Sequence, residues 1–265
     1  MEGIVSLLIP VTFLAALGLE RLFPARPLPK VRFWLLKGFV FFVMTGLLNA
    51  LLPALVGPHL EGLRVVSVEK LGLPAAVVVT LLVSELVAYG VHRTMHRVPF
   101  IWRWTHQMHH SAERMDVAGA AYFHPFDISI NVLALTTALA LLRVGSDAAA
   151  LAGYLGFCCA IFQHLNVRTP HWIGSFVQRP EGHSVHHERG LHAYNYGNIA
   201  LFDQIFGTYR NPQTFSKVQG FWDGASPRVG AMLIGRDVGE PAADLGGQKK
   251  TVVAPHTLGQ APFAQ

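Results

Sequence analysis

Apolar residues are not scattered along this chain but gathered into runs. A bilayer core about 30 Å thick needs roughly 20 apolar residues in a helix, and residues 4–22, 34–56 and 74–91 meet that need. Lys37 lies near one end of the second run, where its stem can reach back to the headgroups. Two further runs, 128–142 and 148–166, flank Arg143 and Asp147 and read as a helical hairpin, the first short enough to be re-entrant. The first run opens on Glu2 and carries its basic residues behind it, so it reads as an anchor, not a signal peptide. The pattern predicts an all-α, polytopic membrane bundle of about 4–5 apolar helices.

Loop charge gives the expected orientation. Arg21, Arg26, Lys30 and Arg32 follow the first run, and Arg93, Arg97 and Arg103 follow the third. The intervening loop has only Arg64 and Lys70, offset by Glu61 and Glu69. Positive charge stays on the cytoplasmic side, so the first and third loops face the cytoplasm. The hairpin then returns the chain to that side, placing 92–127 and 165–265 at one membrane face. Three parts are expected: 1–73 with N-terminal membrane helices, 74–215 with the chemistry, and a Gly-, Ala- and Pro-rich tail, 216–265, loosely structured.

Composition agrees: 51% of the 265 residues are hydrophobic and 14% charged, against about a quarter charged in soluble domains. The net charge of +5 belongs to membrane loops, which argues against nucleic acid. Cys158 and Cys159 are adjacent and frame no disulfide scaffold. No glycine-rich phosphate loop or dinucleotide fingerprint is present, so electrons must come from outside the chain.

Fourteen histidines remain to be explained, and they cluster. The clusters are His92-Arg-Thr-Met-His96, His106-Gln-Met-His109-His110 and His183-Ser-Val-His186-His187, with His164 closing the fifth apolar run. Residues four apart share a helix face, so His92 and His96 can address one centre. In each His-x-x-His-His box the first and third members share a face and the second covers the adjacent one. Two such boxes arise in well under ~1% of random chains at this histidine content. Nine imidazoles exceed the four ligands of a structural zinc, so two metal ions with open positions are the economical reading. Imidazole suits Fe, Zn, Cu and Ni alike.

These boxes resemble the fatty acid hydroxylase and sterol desaturase superfamily. The stretch Arg179-Pro-Glu-Gly-His-Ser-Val-His-His187, followed by Asn195-Tyr196-Gly197 and Phe206-Gly-Thr-Tyr209, carries the resemblance, as does Phe162-Gln-His-Leu-Asn166, over about residues 75–210. The resemblance implies a membrane-bound, O2-dependent di-iron oxidase that hydroxylates or desaturates lipid-like substrates such as sterols or fatty acyl chains. It implies His92, His96, His106, His109, His110, His164, His183, His186 and His187 as ligands of two iron ions. His124 and Asp127, in a segment similar to the family's His-Pro-x-Glu, are candidates for acting behind the ligands. Asn166, Asn195 and Asp203 are candidates for accepting the second N–H of ligand imidazoles, with helix capping the alternative. His192 stands near an acidic position of many relatives and is expected to be a surface residue; His59, His171 and His256 default to structural or exposed roles.

The chain lacks the His-Pro-Gly-Gly segment of a fused cytochrome b5 domain, so a separate reductase, ferredoxin or cytochrome b5-type donor is implied. A multi-pass protein of the bacterial inner membrane, its histidines on the cytoplasmic side, is the expected setting. Two other classes use histidine clusters. A metalloprotease-type hydrolase wants His-Glu-x-x-His, but Arg93 occupies the glutamate's place. A metal-binding or transport protein wants ionisable residues near the midplane, whereas these histidines crowd at span ends.

Overall fold

The computed structural model describes residues 2–63 and 65–241. Arg64 and the segment 242–265, including His256, lie outside the described residues. The described chain is helical: α1 (Glu2–Leu22), α2 (Trp34–Leu60), α3 (Leu73–Arg97), α4 (Pro99–Trp104), α5 (Gln107–His110), α6 (Pro125–Leu141), α7 (Ser146–Phe162), α8 (Pro180–His186), α9 (Ala200–Ile205) and α10 (Val229–Leu233). Three of these, α1, α2 and α3, are long and apolar enough to cross a membrane. The hairpin helices α6 and α7 have 17 residues each. At 1.5 Å per residue each measures about 25 Å, short of the full hydrocarbon core.

The five apolar helices pack in a circuit. Helix α2 lies against α6, α6 against α3, α3 against α7 and α7 against α1. The circuit closes where Phe42 of α2 stacks on Phe13 of α1 at 4.2 Å. Outward-facing side chains stay apolar: Leu7, Val11, Phe39, Leu51, Val78 and Leu86 are all exposed. An apolar face with no protein partner on every long helix is what lipid contact demands.

Prolines set the boundaries that bear on the site. Val98 is extended (φ −105°, ψ 105°) because it precedes Pro99, and this ends α3 at Arg97, five residues beyond His92. Helix α3 therefore runs past the apolar stretch and carries His92 and His96 on its own last turns. Pro125 and Pro180 open α6 and α8, where a missing N–H costs nothing.

A helical cap covers one end of the bundle. There Glu20 of α1 accepts from the Val117 N–H at 3.0 Å, and Trp34 of α2 donates its indole N–H to Asp116 at 2.8 Å. The C-terminal ends of α3 and α7 and the start of α6 reach the same cap through His92, His164 and Asp127. Gly38 of α2 is so close to Ala118 that a Cβ would sit 2.7 Å from the alanine Cβ.

The segment from 216 differs from expectation. Residues 216–241 are packed: Met232 and Val238 are buried with Met108, Trp34 and Tyr122. Tyr122 donates to the Ser226 carbonyl at 2.6 Å, and Glu113 accepts from the Gly224 N–H at 2.8 Å and from the Ser226 hydroxyl. Absence of periodicity hid this, because the segment is held by point contacts and not by a helix face.

Candidate metal centre

The nine expected histidines converge inside the cap in two groups. His92, His96, His106, His110 and His186 form one; His109, His164, His183 and His187 form the other, and within each group the ligand-capable nitrogens lie within 4.8 Å of one another. Each His-x-x-His-His box is split. His106 and His110 join the first group and His109 the second; His183 and His187 join the second and His186 the first. One helical turn thus feeds both centres.

Four of the rings are fixed by an acceptor behind them. His92 Nδ1 donates to the Tyr196 carbonyl at 2.6 Å, His186 Nδ1 to the Tyr194 carbonyl at 2.7 Å and His164 Nδ1 to the Ala160 carbonyl at 2.8 Å. His106 Nδ1 donates to Asp127 Oδ2 at 2.5 Å. With the proton on Nδ1, each of these imidazoles has only a lone pair on Nε2. Yet His92 Nε2 and His106 Nε2 lie 2.9 Å apart. In the second group, His164 Nε2 is 3.2 Å from both His109 Nε2 and His183 Nε2, and His187 Nε2 is 3.1 Å from His183 Nε2.

For His92 and His106, whose Nδ1 protons are held by acceptors, lone pairs facing one another at 2.9 Å repel unless a cation lies between them. Metal–nitrogen bonds of about 2.1 Å would put neighbouring ligand nitrogens roughly 3.0–3.4 Å apart, matching this spacing. His186 Nε2 and His110 Nε2 are buried with no hydrogen-bond partner among the described residues. The donor set fits two metal ions.

Burial, reinforced by neighbouring imidazoles, pushes His109, His110, His183, His186 and His187 well below the ordinary histidine range. Burial likewise lowers His164 to about 4. These rings are neutral at pH 7, the form that binds metals.

The acceptor carbonyls come from a contorted loop. Tyr194 (φ 67°) and Asn195 (φ 50°) adopt left-handed backbone, which costs about 1–3 kcal/mol at each non-glycine residue. Asp203, fully buried, holds this turn by accepting from the Tyr196 and Gly197 N–H groups at 2.9 and 2.8 Å and from Thr208 Oγ1 at 2.6 Å. Its pKa is raised by desolvation, against which these donors act.

None of the three candidate acceptors, Asn166, Asn195 and Asp203, accepts from a ligand imidazole among the described residues; Asp127, expected behind the ligands, does so. Asp203 acts one step back, through the loop. Asn166 donates to the Arg26 carbonyl at 2.8 Å, and Asn195 donates to the Gly182 and Arg210 carbonyls at 2.8 and 2.9 Å, so both tie loops together instead of orienting rings. His124 caps α6, accepting from the Phe126 N–H at 3.0 Å. His192, expected at the surface, is half-buried and turned towards the site: its Nδ1 lies 3.1 Å from His110 Nδ1, and burial lowers its pKa to about 4.

A chamber of about 280 Å³ lies between the histidines and the helices, lined by His92, His106, His109, His164 and His183 at one end. Val87 of α3 and Ile128, Val132 and Leu135 of α6 supply its apolar wall. Its size falls near the low end of ligand pockets, roughly 300–1,000 Å³. A wider, more open cleft of about 710 Å³ beside Arg21, Arg26 and Arg114 contains no histidine. Behind the chamber, Glu85 of α3 accepts from the Asn198 side chain at 3.0 Å and its N–H at 3.2 Å, a tie that the sequence did not disclose.

Comparison with known proteins gives a consistent picture. The fatty acid hydroxylase family model matches residues 77–208. An ornithine lipid hydroxylase of Rhizobium tropici is 30% identical over 141 residues, covering 51% of this chain and 42% of that protein. A very-long-chain aldehyde decarbonylase of Oryza sativa subsp. indica is 28% identical over 139 residues, 49% of this chain and 53% of the relative. A Delta(7)-sterol 5(6)-desaturase of Aspergillus fumigatus is 25% identical over 174 residues, 56% and 53% of the two chains. The chain spans about half the length of the curated relatives it matches. No solved structure matches it significantly. The matched segment contains every histidine of both groups, and on it the chain belongs to the fatty acid hydroxylase and sterol desaturase superfamily.

Proposed function

We propose that this protein is a membrane-embedded, O2-dependent oxidoreductase that hydroxylates or desaturates a C–H position of a lipid-like substrate. His92, His96, His106, His110 and His186 would hold one iron ion, and His109, His164, His183 and His187 the other. Bound iron would supply O2 activation, chemistry beyond any amino-acid side chain. The rest belongs to the chain's own residues. Asp127 and the Tyr194, Tyr196 and Ala160 carbonyls keep Nδ1 protonated and Nε2 free, the arrangement that orients metal-ligating imidazoles. The apolar wall formed by Val87, Ile128, Val132 and Leu135 would position a hydrocarbon chain and exclude water.

The observation that carries this reading is the split of nine imidazoles, eight of them buried, into groups of five and four beside a chamber with an apolar wall. Relatives that act on an ornithine lipid, an aldehyde and a sterol support a lipid-like substrate and leave its headgroup open. Basic residues after α1 and α3 lie at the histidine end, which supports a cytoplasmic site. Electrons would come from a separate reductase, ferredoxin or cytochrome b5-type donor. The test is twofold. Purified protein should carry about two irons without a haem band, and lipids from cells with and without the gene should differ by one oxygen or two hydrogens. Tight zinc with no O2 consumption would overturn the reading.

A further inference from the structure

We infer that His192 is a positioning residue for His110, accepting the His110 Nδ1 proton and so aiming His110 Nε2 at the five-histidine group; this rests on that group's holding a metal. His110 is fully buried, and its Nε2 has no partner among the described residues. Were the proton on Nε2, a buried N–H would be left without an acceptor, at a cost of about 1–3 kcal/mol, beside a group whose other nitrogens present lone pairs. With the proton on Nδ1, the only nearby partner among the described residues is His192 Nδ1 at 3.1 Å. His192 must then receive it, carrying its own proton on Nε2.

The local backbone is shaped for this. His192 sits in left-handed conformation (φ 44°), and its N–H donates to the Glu188 carbonyl at 3.3 Å. Its ring is held edge-on between His110, centroids 5.0 Å apart at 87°, and Phe221, 5.1 Å apart at 81°, with Trp102 at 5.8 Å. In the same group His106 rests on a carboxylate and His92 and His186 on carbonyls. His110 alone rests on an imidazole, a neutral acceptor that adds no charge to the centre.

His192→Phe keeps a ring against Phe221 and Trp102 but cannot accept a proton; His192→Asn restores an acceptor and tolerates left-handed backbone. The full chain in detergent is loaded with Fe(II) and challenged with a chromogenic ferrous chelator, with Mössbauer spectra taken in parallel. Native protein should retain two irons. His192→Phe should release one of them at about 10–100-fold lower chelator concentration and change one of two ferrous quadrupole doublets, and His192→Asn should return both towards native. Should the Phe variant fail to fold, His192→Ala with and without added imidazole gives the same comparison. Native retention and spectra in His192→Phe, or in His192→Ala without imidazole, would overturn the inference alone. A native protein that binds no pair of irons would overturn the metal reading with it.

Discussion

His106 donates its Nδ1 proton to Asp127 across 2.5 Å, and both groups are almost fully buried. Asp127 lies in the first turn of α6, two residues after Pro125, so the start of one membrane helix fixes an imidazole carried by the cap. Replacing Asp127 by Asn keeps the volume but removes the charge that holds His106 in one tautomer. Iron retention should weaken by about 10–100-fold, read by chelator competition on the purified variant. Unchanged retention would show that the contact is only structural.

The split of the boxes makes a sharper expectation. His186→Ala removes a member of the five-histidine group and His183→Ala a member of the four-histidine group, although the two are three residues apart. Each variant should drop from about two irons towards one in elemental analysis and lose turnover. Full activity in either would defeat the ligand assignment.

Titration of the metal-free protein should report the buried rings. In the unfolded chain histidine titrates near 6.5, while His164 is held at about 4 in the folded state. Below pH 6.5 the unfolded form takes up protons that the folded form refuses, so stability falls as pH drops from about 6.5 to about 4 and is full above that window. Metal-loaded protein has these nitrogens occupied and should resist acid further into that window. Thermal unfolding across the pH series, with and without iron, measures both slopes; a flat metal-free profile would contradict the burial.

Packing of α2 on the cap can be tested away from the metals. Gly38→Ala places a Cβ within 2.9 Å of three Ala118 atoms, two of them backbone, so relief requires helix movement. A loss of about 1–3 kcal/mol follows, seen as a lowered Tm in detergent. Gly18→Ala in α1, where nothing lies within 4 Å, is the control and should not be destabilised.

The sequence disclosed the parts of this molecule that repeat a physical rule. Bilayer thickness makes α1, α2 and α3 visible as apolar runs, and turn spacing makes the split of each His-x-x-His-His box foreseeable. The apolar run ending at 91 did not show that α3 continues to Arg97, where Pro99 stops it. What stayed hidden depends on long-range contacts between single atoms. Nothing in the residue type tells that Asn166 and Asn195 bind loop carbonyls while Asp127 binds an imidazole. Nor does it tell that His192 turns inward, since that orientation follows from a left-handed backbone at 192, 194 and 195. Residues 216–241, without periodicity, are fixed by Glu113 and Tyr122 from more than a hundred positions away.

The partners of His92, His164 and His186 are main-chain oxygens, at Tyr196, Ala160 and Tyr194. An alanine scan would glide over all three, because Ala160 is already alanine and truncating Tyr194 or Tyr196 leaves the oxygen on the main chain. Replacing the amide by an ester at Gly197, Ile161 or Asn195 would weaken the oxygen itself as an acceptor. Backbone chemistry of that kind, and not side-chain exchange, is the tool that reaches this layer of the protein.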